Sequence, residues 1–156
     1  MKLSRTIIYA VQAILHLARA APGVPVPCRK LAASGGMPER FLLQILRTLV
    51  NHGLLCSTRG VDGGYYLMRS AHQITLGDIV EAFDNSLDAT MPMFDGLAAG
   101  THNQLLGALR SASRMARIEL QKVTIAHLLR SEEATVLGTV AVPLEPTHIT
   151  QNASPA

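Results

Sequence analysis

The 156-residue chain has no tryptophan, and aromatic residues make up only 4% of it. So few aromatic rings argue against the stacking platforms that bind single-stranded nucleic acid. No apolar run reaches the roughly 18 residues of a membrane span, and the N-terminus shows no secretory signal. The two cysteines are too few for a disulfide scaffold, which favours the reducing cytoplasm.

The remaining composition is that of one compact domain with uneven charge. Hydrophobic residues make up 48% of the chain, enough for a core. Residues 1–80 carry nine basic and three acidic side chains, whereas residues 81–156 carry five and eight. The net charge is +6 for residues 1–80 and −3 for residues 81–156, which favours a polyanionic partner for the first half. An ordinary solvated basic face is the alternative that composition leaves open.

Apolar periodicity and turn residues predict the elements of the first half. Helices are expected over 5–19 (capped by Ser4), 27–34, 38–52 (stopped by Gly53) and from the Thr75–Asp78 capping box to Phe83. Segments 54–59 and 65–69 flank Gly60-Val61-Asp62-Gly63-Gly64. The glycines of this stretch are expected to supply the positive φ angles of a β-hairpin.

The second half is expected to be a loop over 84–102, a long helix to 122, a short helix over 124–130 and a mobile tail with a strand over 134–142. One side of the long helix carries an apolar stripe: Leu105, Leu109, Ala112, Ala116, Leu120 and Val123. Such a stripe suits a seam between two subunits, although an ordinary core stripe has the same spacing.

A short helix, a turn, an amphipathic helix and a Gly-rich hairpin follow one another as in a winged helix-turn-helix. Arg40, Gln44 and Arg47 line the outer side of the second of these helices, where Arg can read guanine and Gln can read adenine. Leu43 adds an apolar group to this face. Arg59, at the start of the hairpin turn, is placed to enter a minor groove.

Several motifs then match a known pattern: Met1-Lys2-Leu3-Ser4, Pro38-Glu39-Arg40-Phe41-Leu42-Leu43-Gln44-Ile45-Leu46, Arg59-Gly60-Val61-Asp62-Gly63-Gly64-Tyr65-Tyr66-Leu67 and Ile74-Thr75-Leu76-Gly77-Asp78-Ile79. The chain resembles the Rrf-two family of bacterial transcription regulators, which includes IscR, NsrR, RirA and CymR. The resemblance is close over roughly residues 1–85 and looser through the long helix.

The resemblance implies a mainly helical fold with a hairpin wing and a homodimer held by the long helix. It divides the chain into a DNA-binding domain (1–83), a loop (84–102), the dimerisation and last helices (103–130) and a tail (131–156). The DNA-binding residues that we expect are Arg29, Lys30, Glu39, Arg40, Leu43, Gln44, Arg47, Arg59, Gly60, Gly63 and Gly64. Two departures from the family pattern affect this surface: Leu43 replaces a glutamate, and Val61-Asp62 replaces Pro-Gly in the wing.

Cluster-binding relatives carry three cysteines in the loop before the long helix, and this chain has none there. We therefore expect no iron–sulfur cluster, no other cofactor and no metal site. The remote alternative is a metal ion bound by His102 and Asp95, but a tight site needs three or four ligands. Cys28 lies beside Arg29 and Lys30 at a helix start, which would lower its pKa and favour a redox thiol; an inert cysteine is the alternative.

An effector is a further expectation: a protein partner, or a small molecule bound near Phe83, Met91, Met93 and Phe94, although these side chains are more typical of core. No catalytic motif is present, so we do not expect an enzyme.

Double-stranded DNA and a second copy of the chain are the expected partners. The main interpretation is a cytoplasmic repressor on a near-palindromic operator. The alternative is a dimeric partner- or ligand-binding module that has lost DNA recognition or shows it only conditionally.

Overall fold

The computed structural model describes residues 3–83, 92 and 96–139, and only the backbone of 135–139. Its elements in chain order are α1 (Arg5–Arg19), α2 (Cys28–Gly35), α3 (Glu39–Asn51), β1 (Leu55–Thr58), β2 (Gly64–Leu67), α4 (Leu76–Phe83), α5 (Ala99–Lys122) and α6 (Ile125–Thr139). No helix in this part of the chain is long and apolar enough to cross a membrane.

The first four helices pack around one apolar core, as their spacing predicted. The Ser4 side chain accepts a hydrogen bond from the Ile7 amide and starts α1, which buries every third or fourth residue against α3 and α4. Thr75 and Asp78 exchange the two hydrogen bonds of a capping box, at 2.9 and 3.1 Å, at the start of α4. These local hydrogen bonds fix where the helices begin, and burial fixes which face of each turns inward.

The wing is tied to the rest of the domain through its second strand. β1 and β2 pair antiparallel, with Cys56 opposite Tyr66. The Tyr65 N–H and C=O both pair with Val26, just before α2, at 2.9 Å. Because Val26 holds the outer edge of β2, the hairpin has a fixed position beside α2.

The glycines of the wing turn have two different roles, and the prediction that they supply positive φ angles holds for Gly60 but not for Gly63 or Gly64. Gly60 alone among them has a positive φ, 117°. Gly64 is buried, and a Cβ atom there would lie 2.5 Å from the Val26 carbonyl carbon and oxygen. Gly63 is similarly close to the Thr58 carbonyl oxygen. The absence of a side chain at these two positions lets backbone segments approach each other closely.

We expect Gly64→Ala to lower the free energy of unfolding by about 2 kcal/mol or more, because the backbone of Val26 cannot yield as a flexible side chain would. Thermal or denaturant unfolding measures this change. Gly107→Ala is the matched control: nothing lies within 4 Å of its Cβ position in α5, so this variant should be up to about 1 kcal/mol more stable. Equal stability of Gly64→Ala and the parent would contradict the close approach.

The second half differs from the sequence prediction in two places. α5 starts at Ala99, inside the predicted loop, because the His102 side chain is buried and the His102 backbone N–H donates a hydrogen bond to the Ala98 carbonyl oxygen at 3.0 Å. α6 continues to Thr139, so the strand predicted from residue 134 and the tail predicted from residue 131 are helical at least that far. Two glutamates and an alanine favour helix there, and Glu132 forms an ion pair with Arg19. Residues 140–156 lie outside the described part of the chain.

The junction of α5 and α6 is joined to the DNA-binding half by backbone hydrogen bonds. Leu76 N–H donates to Val123 O at 2.8 Å, and Ile125 N–H donates to Ile74 O at 2.9 Å. Gly77 lets α5 cross closely, since a Cβ there would lie 2.8 Å from Gln121 Cγ. The long helix therefore has a fixed connection to the segment between β2 and α4.

Candidate nucleic-acid interface

The outer face of α3 is the polar surface that the sequence predicted. Leu42, Ile45, Leu46 and Leu49 are buried against the core, while Arg40, Gln44 and Arg47 are exposed. Leu43 is half-buried at the edge between the two faces. The helix is placed by its ends: Gly36 takes a left-handed conformation after α2, buried Met37 follows, and Pro38 precedes the first turn. The short turn after α2 thus orients the face that carries Arg40, Gln44 and Arg47.

Three further cations lie on the elements that pack next to α3. Arg29 and Lys30 are exposed in the first turn of α2, and Arg59 is exposed directly after β1. Within the residues that the structure describes, none of these three, nor Arg40 or Arg47, forms an ion pair. Unpaired, solvated cations keep their full attraction for phosphates.

The other predicted contact positions differ in their exposure. Glu39, in the first turn of α3, and Gly60, at the wing turn, are exposed, whereas Gly63 is half-buried. Gly64 is buried beneath the Val26 backbone, so a direct DNA contact is not expected of it. The sequence analysis listed Gly64 among the DNA contacts, whereas in the structure its missing side chain allows close packing against Val26.

The pKa of the Cys28 thiol is shifted in the direction opposite to the predicted one. Burial raises it, and the Glu39 carboxylate raises it further. The sequence argument counted neighbouring cations along the chain, but the fold brings an anion from the next helix close to the sulfur. The prediction of a lowered pKa is wrong, so the reason for proposing a redox thiol at Cys28 no longer holds.

The apolar stripe of α5 divides into two parts. Ala116 and Leu120 pack against the core, and Val123 is half-buried beside them. Leu105 and Leu109 are each 46% exposed, and Ala112 is also exposed. The N-terminal half of the stripe therefore remains without a partner within the described part of one subunit.

His102 lies next to this exposed half. It is 7% exposed, and its Nδ1 atom has no hydrogen-bond partner among the residues that the structure describes. Within the described residues no three His, Cys, Asp or Glu side chains lie close enough together to hold a metal ion. Asp95, the predicted second metal ligand, falls outside the described residues, as do Met91, Met93 and Phe94 of the predicted effector site.

We expect His102→Leu to raise the free energy of unfolding by about 1 kcal/mol, because leucine of similar size removes an unsatisfied buried nitrogen. Chemical denaturation of the two proteins measures the difference. The neighbouring exposed Asn103→Leu serves as control and should leave stability nearly unchanged. A marked loss of stability in His102→Leu would instead indicate that Nδ1 has a bonding partner in solution.

Comparison with known proteins supplies the context for this surface. The model of a family named Rrf2, described as iron-dependent transcriptional regulator, matches residues 3–131. A Mycobacterium tuberculosis protein named as an HTH-type transcriptional regulator is 33% identical over 151 residues, 97% of this chain and 88% of its own length. The regulator IscR of Cronobacter sakazakii is 34% identical over 134 residues, 85% of this chain and 83% of its own.

Solved structures share the architecture. IscR of T. potens superposes with a TM-score of 0.64 at 30% identity and covers 86% of this chain and 90% of its own. CymR of B. subtilis, the global cysteine regulator, superposes with a TM-score of 0.64 at 22% identity, over 84% and 98% of the two chains. The second likeness concerns the fold alone. Together with the helices and the hairpin described above, they confirm the predicted winged helix-turn-helix fold.

Proposed function

Because the chain belongs to the Rrf2 family of transcription regulators, as its sequence motifs indicated, we propose that it acts in the cytoplasm as a homodimeric repressor on a near-palindromic operator. The observation that carries this proposal is the exposed row of Arg40, Gln44 and Arg47 on α3, whose cations have no ion-pair partner within the described residues. A dimer that covers two half-sites would exclude polymerase wherever the operator overlaps a promoter.

In this proposal α3 is the recognition helix and enters the major groove, which is wide enough to admit it. Arg40 and Arg47 would donate paired hydrogen bonds to guanine O6 and N7, and Gln44 would pair with adenine N6 and N7. Half-buried Leu43 has no polar group and suits a thymine methyl. Its replacement of the family's glutamate removes an acceptor for cytosine N4, so we expect a different base preference at that position.

The wing supplies the second contact of the proposal. Arg59 is exposed where β1 ends, and α3 packs against β1, so the arginine lies on the hairpin next to the recognition helix. Narrow, A·T-rich minor grooves attract such a side chain through their enhanced negative potential. Arg29 and Lys30 at the start of α2 would bind the phosphates beside the major groove.

The dimer seam would be the exposed part of the α5 stripe. Leu105, Leu109 and Ala112 are spaced so that they follow one side of the helix, and their packing against a second α5 would cover apolar surface that one subunit leaves in water. Ala116, Leu120 and Val123 would then support the seam from the core side.

The donor set does not fit the iron–sulfur cluster that the family's iron-dependent description suggests. A cluster is held by cysteine thiolates, normally four of them or cysteines with histidine. This chain has two cysteines, one at the start of α2 and one in β1. We therefore assign operator binding to the apo-protein and derive no step through iron.

A second function, a dimeric module that binds a protein partner or ligand and has lost DNA recognition, is favoured by one observation. Asp62 is exposed in the wing turn, where a carboxylate would repel phosphates. The charge it adds is opposed by the neighbouring Arg59 and by the four cations on α2 and α3, so DNA binding remains the better-supported function.

The test is selection of bound fragments from sheared genomic DNA by the purified protein in air without added metal, followed by sequencing. Enrichment of one dyad motif, with an affinity that falls steeply as salt rises, is the expected result. A folded dimer that enriches no sequence would contradict cluster-independent DNA recognition and favour the partner- or ligand-binding module.

A further inference from the structure

A pocket of about 340 Å³ lies between the end of α1 and β2, away from the residues assigned to DNA. Its walls include Leu17, Ala18 and Ala21 at the end of α1, and Leu67 and Arg69 at the end of β2. A volume of this size is at the lower end of the range for small-molecule sites. Neither the proposed DNA contacts nor the predicted effector site near Phe83 accounts for it.

The α1 side of the pocket includes two residues, Ala18 and Ala20, whose carbonyls have no partner among the described residues. The Ala18 carbonyl would ordinarily accept from the N–H four residues later, but residue 22 is proline and has none. Neither Ala18 O nor Ala20 O accepts a hydrogen bond from any other described residue. The Ala18 carbonyl belongs to the last turn of α1, where helix carbonyls carry partial negative charge, and Ala20 is the extended C-cap of the helix, so the end of α1 favours a cationic donor.

The β2 side of the pocket includes a cation, Arg69. The Arg69 guanidinium is 3.8 Å from Asp78 Oδ2, and that oxygen already accepts a hydrogen bond from the Thr75 N–H at 2.9 Å. Arginine has five N–H donors in a planar fork, and this single long contact occupies few of them. Arg69 is thus able to bind a carboxylate in the bidentate geometry that guanidinium prefers.

The surface between these two sides is mainly apolar. Leu17 of α1 and Leu67 of β2 are among its lining residues, and Met68 is 59% exposed at the same pocket. An apolar group bound here would remove part of this surface from water, at about 25 cal/mol for each Å² covered.

We propose that this pocket binds a free α-amino acid with an apolar side chain. The ammonium group would donate to the Ala18 and Ala20 carbonyls, the carboxylate would accept from Arg69, and the side chain would lie between Leu17 and Leu67. β2 is both a wall of the pocket and a strand of the wing, so the bound amino acid would tie the base of the wing to α1. The proposal concerns binding to the free protein and is independent of the DNA-binding function.

The test is a titration of the ¹⁵N-labelled full chain with L-leucine, followed by amide chemical shifts. Saturable shifts at residues 18–21, 23 and 66–71, with a dissociation constant of about 1 mM or lower, are expected. 4-Methylpentanoate lacks the ammonium group, isopentylamine lacks the carboxylate and glycine lacks the side chain. Each of these probes should bind at least about tenfold more weakly.

Two variants assign the binding to this pocket. Arg69→Gln removes the cation from an exposed position, and Ala21→Trp fills the space from an exposed turn residue. Both should fold and bind L-leucine at least about tenfold more weakly, whereas Arg110→Gln, an exposed arginine of α5, should bind like the parent. Absence of saturable shifts, shifts confined to other residues, or unchanged binding by Arg69→Gln would overturn the proposal.

Discussion

Replacing Arg59 with alanine is expected to weaken operator binding by about tenfold or more and to leave the dimer intact. Arg59 is exposed and forms no ion pair within the described residues, so its removal costs the folded protein no packing. Its position directly after β1 is fixed by the pairing of the two wing strands and by the bridge from Tyr65 to Val26. Because the backbone at Arg59 is fixed, the guanidinium can enter a narrow groove without rearrangement of the hairpin, and its deletion removes that contact.

Fluorescence anisotropy with the selected operator, measured at several salt concentrations, tests this prediction. Arg110→Ala is the control, because Arg110 is exposed on α5 and carries the same charge. It should leave affinity nearly unchanged, while Arg59→Ala also reduces the slope of log affinity against log salt by about one. If Arg59→Ala binds as tightly as Arg110→Ala, the wing has no part in recognition.

The features predicted well from sequence are those set by neighbouring residues. The hydroxyl of Ser4 and the Thr75–Asp78 pair stabilise helix starts through bonds between residues three apart. The apolar spacing of α3 is read directly from the sequence, and so is its exposed face. Local hydrogen bonding and helical periodicity depend on no distant part of the chain.

The features that sequence analysis missed depend on residues far apart in the chain. Glu39 lies eleven positions after Cys28, yet its carboxylate helps to raise the pKa of the thiol. Gly64 appeared to be a turn residue until the fold placed it against Val26, and the ion pair of Arg19 with Glu132 joins α1 to α6. No periodicity or motif in the sequence encodes these approaches, because they arise only when separate elements pack.

The α5 stripe shows the same limit within one helix. Its six members share a helical spacing, but only the fold separates Ala116 and Leu120, which pack against the core, from Leu105 and Leu109, which do not. The core-stripe alternative therefore holds for the C-terminal part of the stripe, and the subunit seam remains a proposal for its N-terminal part. The backbone hydrogen bonds of Val123 and Ile125 join the C-terminal end of this helix to the segment after the wing.

Leu109→Glu is expected to convert the dimer to monomer at micromolar concentration and to weaken operator binding by about 100-fold or more. The side chain is 46% exposed in one subunit, so a glutamate there is solvated and compatible with folding of the monomer. In the proposed seam the same carboxylate would be buried without a partner, which costs several kcal/mol. A monomer binds one half-site alone and loses the gain in effective concentration that links the two half-sites of an operator.

Ser111→Glu is the matched control, because two residues along an α-helix turn the side chain by about 200°, to the other side of α5. It adds the same charge at an exposed position and should remain dimeric with normal operator affinity. Sedimentation velocity on both variants tests whether the stripe holds the dimer, and operator anisotropy tests whether operator binding needs the dimer. Circular dichroism verifies their helix content. A Leu109→Glu protein that stays dimeric would place the subunit seam elsewhere, whereas a monomer that still bound the full operator tightly would show that recognition needs only one winged helix.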